Sequence, residues 1–251
     1  MSLARHPVLL HGFTGSSASW GPRIVDGLSG AGCPPVLVDL PGHGRHAGEA
    51  DAASFALDST LEGIAAAGAW PADLVGYSMG ARIALHFAAT HPDRVRKLVM
   101  ESGSPGLETE VERAERRRSD AALAARLRRD GVEAFVDFWD AQPLFATRRA
   151  LGHDVVRAQR ALRLRNDPES LATSLEHHGT GALPDLWDEL PRLSMPVLLL
   201  VGELDPKFVG IAERMAARLP DARLRVVEGA GHTVHLERPG AWLDAVVAFL
   251  D

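Results

Sequence analysis

The 251-residue chain contains a single cysteine, Cys33, so it can form no internal disulfide, and this composition suits a reducing compartment. With no second cysteine and no catalytic partner nearby in sequence, Cys33 reads as a small apolar residue. Lysine is almost as scarce. Lys97 and Lys207 are the only two, and arginine supplies the rest of the 27 basic residues. Such a skew follows from a GC-rich coding sequence and says nothing about substrate, so each arginine must be argued from its position. An excess of positive charge is also missing. The net charge of −6 argues against nucleic acid or an anionic membrane as a partner. No apolar run approaches the ~20 residues of a membrane span, and Met1 to Pro7 is too short for a signal peptide. The expectation is a cytoplasmic protein that needs no metal and no cofactor, with its oligomeric state open and a monomer possible.

What is present is ordinary in bulk, at 46% hydrophobic and 24% charged residues, and specific in pattern. Short runs rich in Val and Leu occur at Pro7–Leu10, Pro35–Asp39, Asp73–Gly76, Lys97–Glu101, Pro196–Gly202 and Arg223–Glu228. They read as buried parallel strands. Alanine-rich or amphipathic stretches lie between most of them, which gives a βαβ rhythm and a mainly parallel sheet of about six or seven strands flanked by helices. Asp93–Arg96 reads as a short polar connection before the fourth strand, and Gly240–Leu250 as a closing helix. The rhythm breaks between Ser104 and Arg192, where only helical patterns occur. A connection that long should be a helical insertion rather than a loop, placed over the carboxyl ends of the strands as a candidate lid. The expected division is a core of residues 1–103 and 193–251 with residues 104–192 inserted.

The run Gly76-Tyr77-Ser78-Met79-Gly80 follows an apolar stretch and opens an alanine-rich helix from Ala81 to Ala89. This is the Gly-x-Ser-x-Gly nucleophile elbow, a strained strand-to-helix turn that needs glycine on both sides of the serine. A serine nucleophile needs a base, and the base an acid that orients it. Asp205 follows the strand at Pro196–Gly202, and His232 follows the last strand through Gly229-Ala230-Gly231, so the order is Ser, Asp, His. Glu101 also ends a strand and is a rival for the acid. His235, three residues past His232, could mimic a metal pair, but no carboxylate cluster at ligand spacing accompanies it. His11-Gly12-Phe13-Thr14-Gly15 follows the first strand, which makes the N–H groups of Phe13 and Met79 the candidate oxyanion donors. Asp39-Leu40-Pro41-Gly42-His43-Gly44 closes the second strand as a shaped turn near the pocket. Arg82 lies four residues after Ser78, on the same helix face. A cation there opposes the helix dipole at a cost of roughly 0.3–1 kcal/mol, so a neighbouring carboxylate or an anionic ligand should offset it.

These motifs recur across α/β-hydrolases, and the set as a whole resembles the 2-succinyl-6-hydroxy-2,4-cyclohexadiene-1-carboxylate (SHCHC) synthase family of menaquinone biosynthesis. The closer likeness rests on Glu112-Arg113-Ala114-Glu115-Arg116, Trp139-Asp140-Ala141-Gln142-Pro143-Leu144-Phe145 and Gly202-Glu203-Leu204-Asp205-Pro206-Lys207-Phe208. A fourth segment runs from Leu171-Ala172 through Gly179-Thr180-Gly181 to Pro184-Asp185-Leu186-Trp187. The resemblance covers nearly the whole chain. It implies an α/β-hydrolase fold with a helical lid, and a lyase that eliminates pyruvate from the tricarboxylate 2-succinyl-5-enolpyruvyl-6-hydroxy-3-cyclohexene-1-carboxylate. Ser78, activated by His232 and Asp205, would then abstract a proton rather than form an acyl-enzyme. The small-molecule polycarboxylate would be held by Arg82 and Arg116, with Tyr77 and Trp139 lining the pocket. Arg163 is a further candidate whose register against Arg165 and Asn166 is open, while Arg117 and Arg118 should face solvent.

Two departures from the family pattern stand out. Ala81 replaces a frequent glycine, and Asp140-Ala141 replaces the more usual Tyr-Gln before Gln142-Pro143. The insertion holds 16 acidic residues against 14 arginines, so any substrate recognition must come from a few inward arginines rather than a basic patch. The alternative function is a serine hydrolase (carboxylesterase, thioesterase or C–C bond hydrolase) working through an acyl-enzyme. A third possibility is a binding protein that keeps the triad without turnover.

Overall fold

In the computed structural model, which describes residues 5–49 and 51–251, six parallel strands form one sheet. Residues 1–4, most of the stretch read as too short for a leader, lie outside the described residues, as does Ala50. The strands are β1 (Val8–Leu10), β2 (Val36–Val38), β3 (Ala72–Tyr77), β4 (Val95–Glu101), β5 (Val197–Gly202) and β6 (Ala222–Val227), in the order β2-β1-β3-β4-β5-β6. Each matches a Val/Leu-rich run in the sequence. The polar reading of Asp93–Arg96 needs correction, because only Pro92–Arg94 forms a turn of 3-10 helix and Val95 and Arg96 already belong to β4. Arg96 is tolerated there because it pairs with Asp73 on the neighbouring β3. β6 is an edge strand, and it alternates where the four inner strands are almost wholly buried; Arg223 and Arg225 lie on its open side.

Period-two alternation sends side chains to two cores. Val8, Leu10, Leu74, Leu98, Met100, Leu199 and Val201 point to one face, covered by α2 (Leu57–Ala67), α3 (Met79–Thr90) and α7 (Pro206–Ala216). Leu9, Val75, Val99, Leu198 and Leu200 point to the other, under α1 (Gly21–Gly30) and α9 (Pro239–Leu250). Because the chain leaves β1 for β2 and then returns to the far side of β1 as β3, the sheet has its topological switch between β1 and β3. A crevice at the carboxyl ends of the strands is expected there.

Between β4 and β5 the chain is helical, in α4 (Glu110–Asp140), α5 (His153–Arg163) and α6 (Pro168–His178). Thr109 and Glu112 form a reciprocal capping box that starts α4, and Gly131 breaks it with φ 77° and ψ 174°. Ala124, Leu127 and Phe135 of α4 pack on Leu171 and Ala172 of α6 as a separate small core. Phe13, from the loop after β1, rests against that core, its ring 5.6 Å from Trp139 and edge-on. The helical segment thus sits on the loop that flanks the crevice.

Candidate active site

Ser78 occupies the turn from β3 into α3 with φ 51° and ψ −106°, a conformation that costs a non-glycine residue of order 1–3 kcal/mol. The turn is fixed from both sides. Ser78 N–H donates to Glu101 O at 2.8 Å, and Arg82 N–H donates to Ser78 O at 3.1 Å. A Cβ on Gly76 would lie 2.5 Å from Ala81 Cα, and one on Gly80 would lie 2.5 Å from His11 O, so both elbow glycines are required by close approach of backbone.

Ser78 Oγ lies 3.1 Å from His232 Nε2, and His232 Nδ1 lies 2.7 Å from Asp205 Oδ2. The three residues picked out by strand-end position therefore meet. Asp205 also caps α7, accepting from Phe208 N–H with its other oxygen, so the helix start fixes the carboxylate. The loop carrying His232 is held from behind. Glu237, in the short α8 (Val234–Glu237), accepts from Gly231 N–H at 2.7 Å and Thr233 N–H at 3.1 Å, the two amides flanking the histidine. Burial pushes the His232 imidazole below the ordinary 6.5, and it outweighs the opposing pull of Asp205, so the ring stands neutral at neutral pH and is ready to accept a proton.

Glu101, the rival acid, turns away from His232. Its Oε1 lies 2.8 Å from His235 Nδ1 and accepts from His235 N–H, while Oε2 accepts from Trp242 Nε1 at 2.9 Å. Each of the two closely spaced histidines has its own carboxylate, and His235 belongs to a buried structural network against Trp20 and Tyr77.

The loop after β1 is shaped by two histidines. Leu40 N–H donates to His11 Nε2 at 3.1 Å, leaving His11 Nδ1–H for Gly12 O at 2.9 Å. Thr14 N–H donates to His43 Nε2 at 3.2 Å, leaving His43 Nδ1–H for Pro41 O at 2.9 Å. Burial lowers His11 to about 4 and pushes His43 well below 6.5, so both rings are neutral and can accept at Nε2. His43 thus acts on the loop, not as a bystander in its turn. Among the described residues, neither Phe13 N–H nor Met79 N–H is donated to a protein backbone or side-chain acceptor.

Above the serine lies a cavity of about 290 Å³ whose walls include Tyr77, Arg82, Arg116, Trp139 and Arg163. All five sequence candidates for substrate contact therefore line one space. Arg163 is the inward residue of its segment; Arg165 is exposed, and Asn166 donates to Thr14 O at 2.8 Å. Arg117 and Arg118 are exposed, as expected.

Beside Lys207, Glu112 and the Arg214–Glu108 pair, which also line the cavity, the other lining arginines form two groups of similar make-up. Arg116 Nε pairs with Asp120 at 2.8 Å, and Arg82, within reach of both, has no carboxylate partner of its own among the described residues. Arg163 pairs with Asp140, whose Oδ1 is also 3.5 Å from Arg148 Nη1. Each group holds two guanidiniums against one aspartate, so each keeps an uncancelled positive charge beside the cavity. Burial pushes the Asp120 carboxyl up, and Arg116 and Arg82 pull it back down. Asp140, the departure noted in the sequence, thus supplies the carboxylate of the second group.

Arg148 was not foreseen. It stands in a 3-10 helical stretch, Pro143–Ala150, three residues after Phe145. Positions i and i+3 eclipse in such a helix, and the Arg148 guanidinium lies 4.1 Å over the Phe145 ring. The segment reads only as helical in sequence, and the 3-10 register that turns Arg148 inward gives no pattern of its own.

The alpha/beta hydrolase fold family matches residues 8–239, and with the elbow and the Ser-His-Asp contacts this defines the class: an α/β-hydrolase-fold enzyme. A relative from Bacillus subtilis (strain 168), provisionally assigned as a 2-succinyl-6-hydroxy-2,4-cyclohexadiene-1-carboxylate synthase, is 40% identical over 247 residues, covering 97% of this chain and 89% of its own. A synthase of that name from Salmonella schwarzengrund (strain CVM19633) is 38% identical over 97% of this chain and 92% of its own. The chain belongs to the SHCHC synthase family. The structure of MenH from S. aureus superposes with a TM-score of 0.89 at 31% identity, covering 100% of this chain and 94% of that one. An esterase from Exiguobacterium antarcticum, at 20% identity and a TM-score of 0.82, shares the fold.

Proposed function

We propose that this chain is a cytoplasmic SHCHC synthase, eliminating pyruvate from 2-succinyl-5-enolpyruvyl-6-hydroxy-3-cyclohexene-1-carboxylate. The observation that carries the reading is the triad in contact beneath a cavity flanked by two arginine pairs, each with a single aspartate. A substrate with three carboxylates supplies the missing negative charge, and guanidinium forks suit carboxylates. A neutral ester has no use for that charge. Residues 104–192 are the lid insertion on a core of 1–103 and 193–251.

His232 takes the proton of Ser78 as Ser78 Oγ removes the ring proton next to the succinyl carbonyl. Charge builds on that carbonyl oxygen, where the N–H groups of Phe13 and Met79 serve as oxyanion donors, each worth about 3–4 kcal/mol in such sites. The electron pair then moves through the ring double bond and expels the enolpyruvyl oxygen at the far carbon, giving the cyclohexadiene and the enolate of pyruvate. The enolate takes up one proton to become pyruvate, and His232 gives up the proton it took, which restores the neutral pair. Asp205 holds His232 in the tautomer that presents Nε2 to the serine.

The test is pyruvate release from the substrate made in situ by the upstream synthase, coupled to lactate dehydrogenase, with an enzyme-free control and p-nitrophenyl acetate alongside. Fast release with feeble ester cleavage is expected. No release above the control, with brisk ester turnover, overturns the reading in favour of a serine hydrolase. The pH dependence gives a further check. Activity needs neutral His232, so kcat/KM falls as pH drops through its value, which burial places below 6.5. The acid limb of the profile is therefore expected below pH 6.5, and a midpoint clearly above that value contradicts a buried, neutral base.

A further inference from the structure

Arg148 reaches from the helical segment to residues adjoining both ends of the Ser78–His232 pair. Its Nε donates to Thr233 Oγ1 at 2.9 Å and its Nη2 to Tyr77 OH at 3.2 Å, while Tyr77 OH and Thr233 Oγ1 are 3.0 Å apart. Tyr77 precedes the nucleophile and Thr233 follows the base. A guanidinium only donates, so both hydroxyl oxygens accept from Arg148. One hydroxyl hydrogen closes the third side of the triangle, and the other is left over. Both residues border the cavity, but Thr233 is fully buried and its Oγ1 has no acceptor among the described residues apart from Tyr77, whereas Tyr77 keeps 8% of its surface exposed. The Thr233 hydrogen therefore goes to Tyr77, and the phenolic hydrogen is the one left for the cavity that Tyr77 lines.

We propose that Arg148 is a positioning residue, which with Thr233 fixes Tyr77 as an outward hydrogen-bond donor to a carboxylate oxygen of the acid substrate. The inference rests on the polycarboxylate reading of the cavity above. Asp140 belongs to the same device, since its carboxylate stands between Arg148 and Arg163 and steadies the first against the charge of the second. Arg148 acts through Tyr77, so removing it weakens ground-state binding more than chemistry. Burial raises the Tyr77 phenol above its ordinary value and Arg148 opposes that rise, in keeping with a donor made stronger by the guanidinium.

The chain contains one tyrosine, so tyrosine labelled with 13C at Cζ gives a resonance that reports Tyr77 alone. The test compares wild type, Arg148→Met, Arg148→Lys, Tyr77→Phe and the Arg148→Met/Tyr77→Phe double variant. In wild type, added succinate is expected to shift the Tyr77 resonance in a saturable way. Arg148→Met should weaken that apparent affinity about tenfold, and Arg148→Lys should restore part of it. In pyruvate release, Arg148→Met should raise KM about tenfold with kcat within about threefold, and the double variant should be no worse than Tyr77→Phe alone. Multiplicative effects in the double variant, or a lowered Tm with KM and the succinate titration unchanged, overturn the proposal and leave Arg148 a structural tie. Should wild type release no pyruvate, the functional reading falls, and the succinate titration still decides whether Arg148 sets Tyr77 as a carboxylate donor.

Discussion

Replacing Ser78 with alanine is expected to lower kcat for pyruvate release by about 10³-fold while leaving the fold intact. The size follows from what is lost. In the proposed reaction Ser78 Oγ is the atom that takes the substrate proton, and positioned general-base catalysis is worth about 10²–10⁴-fold. In the proposed mode of binding the arginines and both oxyanion amides survive the change, so KM should move little. Stability should move little too. The hydroxyl's one hydrogen bond among the described residues, to His232 Nε2, is exchanged for a void smaller than a methyl group, and alanine occupies the strained φ of 51° no more easily than serine. His232→Ala should cost a similar factor, and the double variant should lose nothing further, because the pair acts as one unit. The measurements are steady-state pyruvate release and thermal unfolding on the same preparations. A kcat within tenfold of wild type would sink the role of Ser78 as base.

The triad was legible in sequence because each of its members ends a strand. Six Val/Leu-rich runs locate the carboxyl edge of the sheet, and Ser78, Asp205 and His232 lie just past three of them. Backbone topology then brings them together with little further information. Arg163 was legible only as one of several arginines, because α5 ends at Arg163 itself and the turn beyond it decides that Arg165 points out and Asn166 in. Arg148 and Glu237 were not legible. Their roles depend on a 3-10 register and on a side chain that folds back to amides six and four residues earlier, and neither leaves a periodic trace. The start of β4 was misplaced for a similar reason. Arg96 looks like a loop residue until its ion pair with Asp73, at the irregular start of the β3–β4 pairing, is seen.

Arg82 carries the other large effect, and the structure changes the question the sequence raised about it. An offset was expected for a cation near the N-terminus of α3, either a carboxylate or an anionic ligand. The described residues supply neither a direct carboxylate nor full hydrogen bonding. Arg82 Nη2 donates to His178 O at 3.1 Å, the carbonyl at the C-terminus of α6, where a cation is favoured by that helix's dipole. Its Nε is buried with no acceptor. Burial, with Arg116 adding to it, lowers the guanidinium to about 10 against the pull of Asp120, so it remains charged at neutral pH with only a counter-charge that Arg116 already engages. In the folded, unliganded protein Arg82 is therefore a cost. Replacing it with methionine, which fills similar space without charge, is expected to leave Tm unchanged or raise it. The same change should lower kcat/KM by about 10²–10³-fold, mostly through KM, because a carboxylate of the substrate then loses its buried partner. Lysine at this position keeps the charge but not the two-pronged geometry, and should recover only part of the loss. The two readouts are expected to move in opposite senses. A structural tie to His178 predicts the reverse pattern, a lower Tm with kinetics nearly intact, and that result would remove Arg82 from the substrate site.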